Sequence, residues 1–247
     1  MKKSVILLVL SVFLFSTNAM AAPNYSAIES ILNGIAVDGD IDLNVATDAI
    51  DDRLDSYWEV TGAGISAATF IIELAGFANT NTLGIYDASN PSNKVALFDG
   101  TDGAGAQTVI SIKADGSVYR NFKDTGVNFA NNLFGYYLDA TAGMGDNLSI
   151  FFSDTNLNAD GIDHMLAYGG TNSEYVALPG CMPGLWTNDE YVLAFEDLLG
   201  GGDLDYDDLV IMVESVKTKP VPEPGTMFLL GSGILGLAGV RRKKMKK

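Results

Sequence analysis

The segment "FEDLLGGGDLDYDDLVIMV", residues 195–213, sets Glu196, Asp197, Asp203, Asp205, Asp207 and Asp208 around three consecutive glycines. Six carboxylates so close together repel one another unless a cation or protons relieve them. The glycines at 200–202 allow positive φ and a tight turn. Asp203, Asp205 and Asp207 recur at every second position, so a looping backbone can aim them at one point, and a strand would at least keep them on one face. An all-oxygen donor set of this kind suits calcium, which takes six to eight oxygens at about 2.3–2.6 Å.

A second loop, "SDTNLNADGIDH" at 153–164, spaces Asp154, Asn156, Asn158 and Asp160 in the same alternating way. It begins as an EF-hand loop begins. It then departs, with Ala159 at the sharp-turn position and Met165 where the bidentate glutamate belongs. A true EF-hand is excluded, while calcium ligation of a related kind is expected. Asp38, Asp40 and Asp42 form a third, weaker candidate, with solvated turn residues as the competing reading.

Other chemistries find less material. His164 is the single histidine, and G-x-S-x-G, H-E-x-x-H and paired Cys/His ligand sets are all missing from the sequence. Nucleophilic and zinc catalysis are therefore not expected, and the chain reads as a non-enzyme. A polysaccharide hydrolase would need only two carboxylates, but nothing singles out such a pair. The lone Cys181 forms no internal disulfide and reads as a small buried hydrophobe. Trp58 and Trp186 read as core plugs rather than sugar-stacking platforms.

The elements that must hold these loops are strands. Apolar and β-branched runs recur at 68–75, 82–87, 94–99, 107–113, 133–139, 147–153, 164–170, 174–179, 191–197 and 208–215, with turn residues between them. The expected fold is all-β, a single jelly-roll-like β-sandwich of about ten strands. "LVIMV" and "FIIELA" are apolar on both parities, as in strands covered on both faces, whereas "QTVISIK" alternates as a strand with one wet face does. One helix is expected near the start, where Ile28, Ile31, Leu32 and Ile35 share a face.

The two ends read as targeting segments. Lys2 and Lys3, an apolar run from Val5 to Phe15, and Ala19 and Ala21 at small-x-small positions form a secretory signal peptide over 1–21, cut before Ala22 by signal peptidase. At the other end a linker, 217–224, leads into an apolar stretch and a basic tail over 225–247. These read as a short transmembrane helix whose cationic end stays cytoplasmic. Between them, residues 22–216 form the exported domain. Without the targeting ends, seven basic residues face nearly all 31 acids, a charge of about −24, which disfavours nucleic acid and anionic membrane surfaces as partners. The acids are 23 Asp and 8 Glu, a bias towards turns and metal loops rather than helix surfaces.

Val221, Pro222, Glu223 and Pro224, the apolar stretch behind them, and Arg241 and Arg242 in the basic tail resemble the PEP-CTERM sorting signal of Gram-negative bacteria. The resemblance implies a transient inner-membrane stage and cleavage near the motif by exosortase. It also implies a final place on the cell surface or in the extracellular matrix of an exopolysaccharide-producing organism. "LAFEDLLGGGDLDYDDLVIMV" is similar to the signature of an uncharacterised extracellular family, domain of unknown function 4114. "LGIYD", "FFSDTNLNADGIDHMLAY" and "WEV" at 58–60 extend that likeness over about residues 55–215. That family carries no established activity. The expectation is thus an exported, calcium-binding structural or adhesive protein of an exopolysaccharide or biofilm matrix. The alternatives are a carbohydrate-binding module and, behind it, a hydrolase.

Overall fold

Residues 23–61, 65–72 and 80–220 are described in the computed structural model, with 65–72 as a strand and its pairing. The signal segment, Ala19 and Ala21, the sorting residues Pro222, Glu223, Pro224, Arg241 and Arg242, and the expected membrane helix lie outside them. Among the described residues no helix is long and apolar enough to cross a membrane.

The 3.6-residue spacing of Ile28, Ile31, Leu32 and Ile35 produces helix α1 (Ser26–Ile35), with all four side chains buried. A one-turn helix α2 (Asp52–Asp55) follows, capped by Asp51, whose side chain accepts from Arg53 N. The strands then run β1 (Tyr57–Val60), β2 (Ile65–Ile72), β3 (Thr82–Asp87), β4 (Asn90–Asp99), β5 (Gln107–Ile112), β6 (Ser117–Arg120), β7 (Lys123–Asn128) and β8 (Leu133–Asp139). After a short helix α3 (Thr141–Met144) come β9 (Ile150–Phe152), β10 (Met165–Gly169), β11 (Tyr175–Val176), β12 (Gly184–Leu185), β13 (Tyr191–Phe195), β14 (Leu209–Glu214) and β15 (Val216–Lys219).

These strands form two large antiparallel sheets, ordered β15-β1-β8-β3-β4 with β9 beside β8, and β10-β13-β14-β2-β5-β6-β7. The fold is the expected all-β sandwich. One core lies between the sheets, where Trp58, Leu83, Ile85, Phe134, Tyr136 and Leu138 of the first meet Ile110, Leu193, Phe195, Ile211 and Val213 of the second. A second core lies on the outer face of the larger sheet. There Ile28, Ile31, Leu32 and Ile35 of α1 cover Val192, Ala194, Val210 and Met212. This third layer explains why β13 and β14 are apolar at both parities: odd positions face the inner core and even positions face α1. In β5 only the alternate residues Thr108, Ile110 and Ile112 are buried, as its sequence foretold.

The smaller sheet contains a reciprocal pairing. Gly84 stands opposite Tyr137, and Tyr86 opposite Gly135, on β3 and β8. A β-carbon at Gly84 would run into the Tyr137 ring, and one at Gly135 into the Tyr86 ring, so each glycine makes room for its partner's aromatic. Trp58 is fully buried and packs edge-on to Tyr136 and Tyr191, at centroid distances of 5.6 and 4.9 Å. Trp186 is also buried, its Nε1 donating to the Glu190 carbonyl at 3.0 Å. Cys181 departs from expectation and is exposed. It sits in the turn closed by the Cys181 N to Leu178 O bond at 2.9 Å, which holds it outside both cores.

Candidate metal centre

The acidic loop joins β13 to β14, two central neighbours of the larger sheet. Glu196 directly follows β13, and its backbone is pinned twice by one residue. Its N donates to the His164 carbonyl at 3.0 Å, and its own carbonyl lies 3.0 Å from His164 Nδ1. Asp197 N then donates to Asp208 Oδ2 at 2.8 Å, closing the base of the loop. Within it, Gly200, Gly201 and Gly202 take φ of +81°, +77° and +48°, and Leu204 and Tyr206 take +57° and +54°. Those two left-handed side chains are buried in the α1 core and anchor the loop. The aspartates alternate with them and fall on the other side. The segment is a loop rather than a strand face, and of the three alternating aspartates it brings Asp203 and Asp205 to Glu196 while Asp207 joins no such group.

The turn brings carboxylates together around Glu196. One oxygen each from Glu196, Asp203 and Asp205 lie within 4.8 Å of one another, as do oxygens from Glu196, Asp197 and Asp208. Oxygens at 2.3–2.6 Å from a common calcium ion stand at most about 4.6–5.2 Å apart, so either trio fits one coordination sphere. Glu196 belongs to both. A β-carbon at Gly202 would collide with the Glu196 carboxylate, so glycine there serves the turn and this close approach together.

Glu196 is fully buried, and neither Oε1 nor Oε2 has a hydrogen-bond partner among the described residues. Carboxyl groups of Asp197, Asp203, Asp205 and Asp208 lie close by, and a donor among them is available only as a protonated acid. Burial, then the charge of Asp208 and a proton shared with that carboxyl, then the charges of Asp203 and Asp205, push its pKa up to about 9. Burial and the Asp197 charge raise Asp208 to about 7, against the pull of its bond from Asp197 N. Asp207 rises to about 6 through burial and its neighbour Asp205. Among the described residues no Lys or Arg pairs with any of these groups.

Asn81, just before β3 of the opposite sheet, supplies the one neutral side chain among the described residues with a hydrogen bond to these carboxylates. Its Nδ2 donates to Asp197 Oδ2 at 2.9 Å, while its Oδ1 is buried without a partner. It stands in the polar run "NTNT", whose composition carries no metal-ligand pattern and so gave no signal.

The 154–160 residues have a different place. Asp154 caps a short 3₁₀ turn at 155–157, accepting from Asn156 N and Nδ2 at 3.0 and 2.9 Å, and takes the Tyr57 hydroxyl at 2.6 Å. Asn158 binds the Phe152 amide and the Phe152 and Ile162 carbonyls. Asp160 accepts from Ile162 N, His164 Nε2 and Gly200 N at 3.1, 3.0 and 2.8 Å. Burial raises the Asp160 pKa, but the bonds from Gly200, Ile162 and His164 outweigh it and hold the carboxylate below its usual range. Oxygens of Asp154, Asn158 and Asp160, expected as calcium ligands, are thus engaged in building the loop, and Asp154 and Asp160 belong to neither acidic trio. This loop is the wall against which the 196–208 carboxylates are set. His164, fully buried and stacked on Phe151 at 4.0 Å, fastens that wall to Glu196. Asp38 caps Asp40 N at 3.3 Å in an exposed turn, and Asp42 N reaches Glu174 at 3.3 Å.

Comparison with known proteins adds two matches. Residues 103–216 match the domain of unknown function 4114, and residues 220–243 match the PEP-CTERM protein-sorting motif. The first match contains the whole acidic loop and its wall but begins after β4, so "WEV" and "LGIYD" fall outside it. The second implies export, with a membrane-anchored stage before processing by exosortase. No curated protein and no solved structure matches the chain.

Proposed function

We propose that this chain is a non-enzymatic, exosortase-processed surface or matrix protein whose sandwich is completed by calcium bound at Glu196, Asp197, Asp203, Asp205 and Asp208. The observation that carries the reading is Glu196, a fully buried carboxylate with no donor at either oxygen, at the meeting point of two acidic trios. Desolvating such a group costs several kcal/mol unless it is neutralised. The oxygen-only donor set favours a hard cation over zinc or copper, and the loop geometry favours calcium over the strict octahedron of magnesium. Export places the site where extracellular calcium modules work, with dissociation constants of about 10⁻⁴–10⁻³ M. Asp207 stands at the margin of the trios and tunes their charge.

The sorting signal and the all-β scaffold support a structural or adhesive role at the cell surface, which we extend to an exopolysaccharide matrix. His164, the sole imidazole, has both nitrogens occupied in holding the loop, which supports a scaffold over a catalyst. Glycan stacking on Trp58 or Trp186 has no support, since both rings are buried. Elemental analysis of the exported protein, with and without chelator, tests the reading. Bound calcium in about molar ratio is expected, and a calcium-free protein that melts identically in calcium and chelator refutes it.

A further inference from the structure

The tip of the β6–β7 hairpin is built against the preferences of its own residues. Arg120 pairs with Lys123, so Asn121 and Phe122 form a two-residue turn, at φ of +51° and +65°. Such a turn favours Asn followed by Gly, because both positions need positive φ. Asn121 meets that rule. Phe122 breaks it, holding a bulky side chain in the left-handed region at a cost in energy. The ring is 80% exposed, so packing within the chain does little to offset that cost. Arg120 and Lys123 are like charges directly opposite each other, which destabilises a strand pair. Neither pairs with a carboxylate among the described residues. The turn is nevertheless braced. Asn121 N donates to the Val109 carbonyl at 2.8 Å, and Asn121 Oδ1 accepts from Val109 N and the Thr108 hydroxyl at 2.9 and 3.2 Å. Phe122 is thus presented on a fixed support between two cations.

A hollow of opposite character lies at the other side of the molecule. Tyr25 and Glu29, at the start of α1, share a depression of about 560 Å³ with Asp42, Leu43 and Val45. Tyr25, Leu43 and Val45 belong to the α1 core and offer apolar surface, while Glu29 and Asp42 are exposed carboxylates. Glu174, 3.3 Å from Asp42 N, adds a third acid. Among the described residues no Lys or Arg pairs with these three. A cavity of about 150 Å³ already takes benzene, so a benzyl side chain has room here. The Val45 carbonyl accepts from the Tyr168 hydroxyl of β10 at 2.9 Å, which ties the hollow to one edge strand of the larger sheet. The tip ends β6, beside the opposite edge strand β7, so the two surfaces of one chain do not meet.

We propose that the Phe122 tip of one copy inserts into the Tyr25–Asp42 hollow of the next, and that the exported protein assembles head to tail through this contact. Burying the ring and setting Arg120 and Lys123 against Glu29, Asp42 and Glu174 relieves both the exposure of the tip and its like-charge pair. Two different surfaces on opposite edges give a heterologous contact, which repeats from copy to copy rather than closing as a symmetric dimer. No residue of the metal centre takes part, so failure of this inference and failure of the calcium reading are distinguishable.

The test is sedimentation velocity of the exported protein over rising concentration at low ionic strength, beside two variants. Phe122→Ser removes the knob, and Glu29→Lys with Asp42→Lys spoils the hollow. All three positions are exposed, so both variants should keep the parent melting curve; Glu29→Lys alone replaces the double variant if that does not fold. The unsubstituted protein should form dimers and longer species, and each variant should associate about 10–100-fold more weakly. An equal mixture of the two variants should give dimers with one copy of each and nothing longer, since one competent contact remains. Unsubstituted protein that stays monomeric overturns the proposal, as does undiminished association of either variant or a mixture without dimers. A monomer that floats with phosphatidylglycerol vesicles through Phe122 overturns it in favour of a membrane anchor.

Discussion

Asn81 Nδ2 donates to Asp197 Oδ2 at 2.9 Å, and through that one bond the smaller sheet grips the acidic loop of the larger. On the proposed reading Asn81 is a positioning residue, because it holds Asp197, a member of one acidic trio. Replacing it with Ala should weaken calcium about tenfold, as loss of an outer-shell partner does. Calorimetric titration reads the change. An affinity equal to that of the unsubstituted protein would show that Asp197 needs no such support.

Calcium should raise the melting temperature of the exported protein. At free calcium about tenfold above the dissociation constant, one site adds roughly 1.4 kcal/mol by mass action, or about 3–6 °C for a domain of this length. Glu196→Gln should abolish that site's share. Asp115→Ala, which removes the cap on Ser117 N in an exposed turn, should lower the melting point a little and leave the calcium increment intact. Magnesium should give a smaller rise at equal concentration. Identical curves in calcium, magnesium and chelator would contradict the site.

The pH dependence in chelator has a definite sign. Glu196, Asp208 and Asp207 have folded-state values of about 9, 7 and 6, above their ordinary values of 4.5, 3.8 and 3.8. Groups raised in the folded state contribute stability that is complete below the ordinary value and lost as pH climbs through the raised one. The metal-free protein should therefore lose stability between about pH 5 and pH 9, and the calcium increment should grow over the same window. Denaturant melts at several pH values with chelator would decide. A stability that rises across that window would be incompatible with the carboxylate geometry described.

Gly84→Ala and Gly135→Ala should each destabilise by about 1–3 kcal/mol, because the added methyl meets the Tyr137 or Tyr86 ring. Neither glycine lies near the acidic loop, so calcium affinity measured below the melting transition should not change. A shift in affinity would mean that the two sheets communicate through β3.

Alanine at Pro222, Glu223 and Pro224 should leave full-length protein in the membrane fraction, since the sorting motif spans 220–243. Mass spectrometry of the secreted and membrane pools reads the outcome. Normal release of the variant would assign processing to another protease.

Much of the scaffold was legible because burial leaves a pattern in the chain. The unbroken apolarity of 209–213 announced a strand covered on both faces, and α1 turned out to be the second cover. Strands β6 and β7 left no such pattern. Only Val118 of the two strands is fully buried, and β7 at the sheet's edge is exposed or half-buried throughout, so their pairing rests mostly on backbone bonds that composition does not encode. Of the site, Glu196 and the aspartates of 203–208 were visible as a charge cluster. The 154–160 loop was visible too, but its role was not. An alternation of Asp and Asn serves turn capping as well as it serves ligation, and only the positions of the donors separate the two. Asn81 matters through the bond its amide donates to Asp197, and that is a property of packing which spacing along the chain cannot carry.

Strand β15 adds a mechanical consequence. It lies at the edge of its sheet, paired among the described residues only with β1 through four registers from Val60–Val216 to Tyr57–Lys219, with Lys217 and Lys219 bridging to Glu59 at 3.3 and 3.2 Å. Pro220 comes next and brings no amide hydrogen to lengthen the ladder. Tension transmitted along the carboxyl-terminal tether enters at Lys219 and loads these pairs one at a time, peeling them rather than shearing them together. The interior ladders of β13 and β14, which frame the acidic loop, carry no load until β15 has come away. A protein held at a surface by this end has a compliant leader of a few residues. It gives under drag and re-pairs in still water, while the body framed by β13 and β14 stays folded.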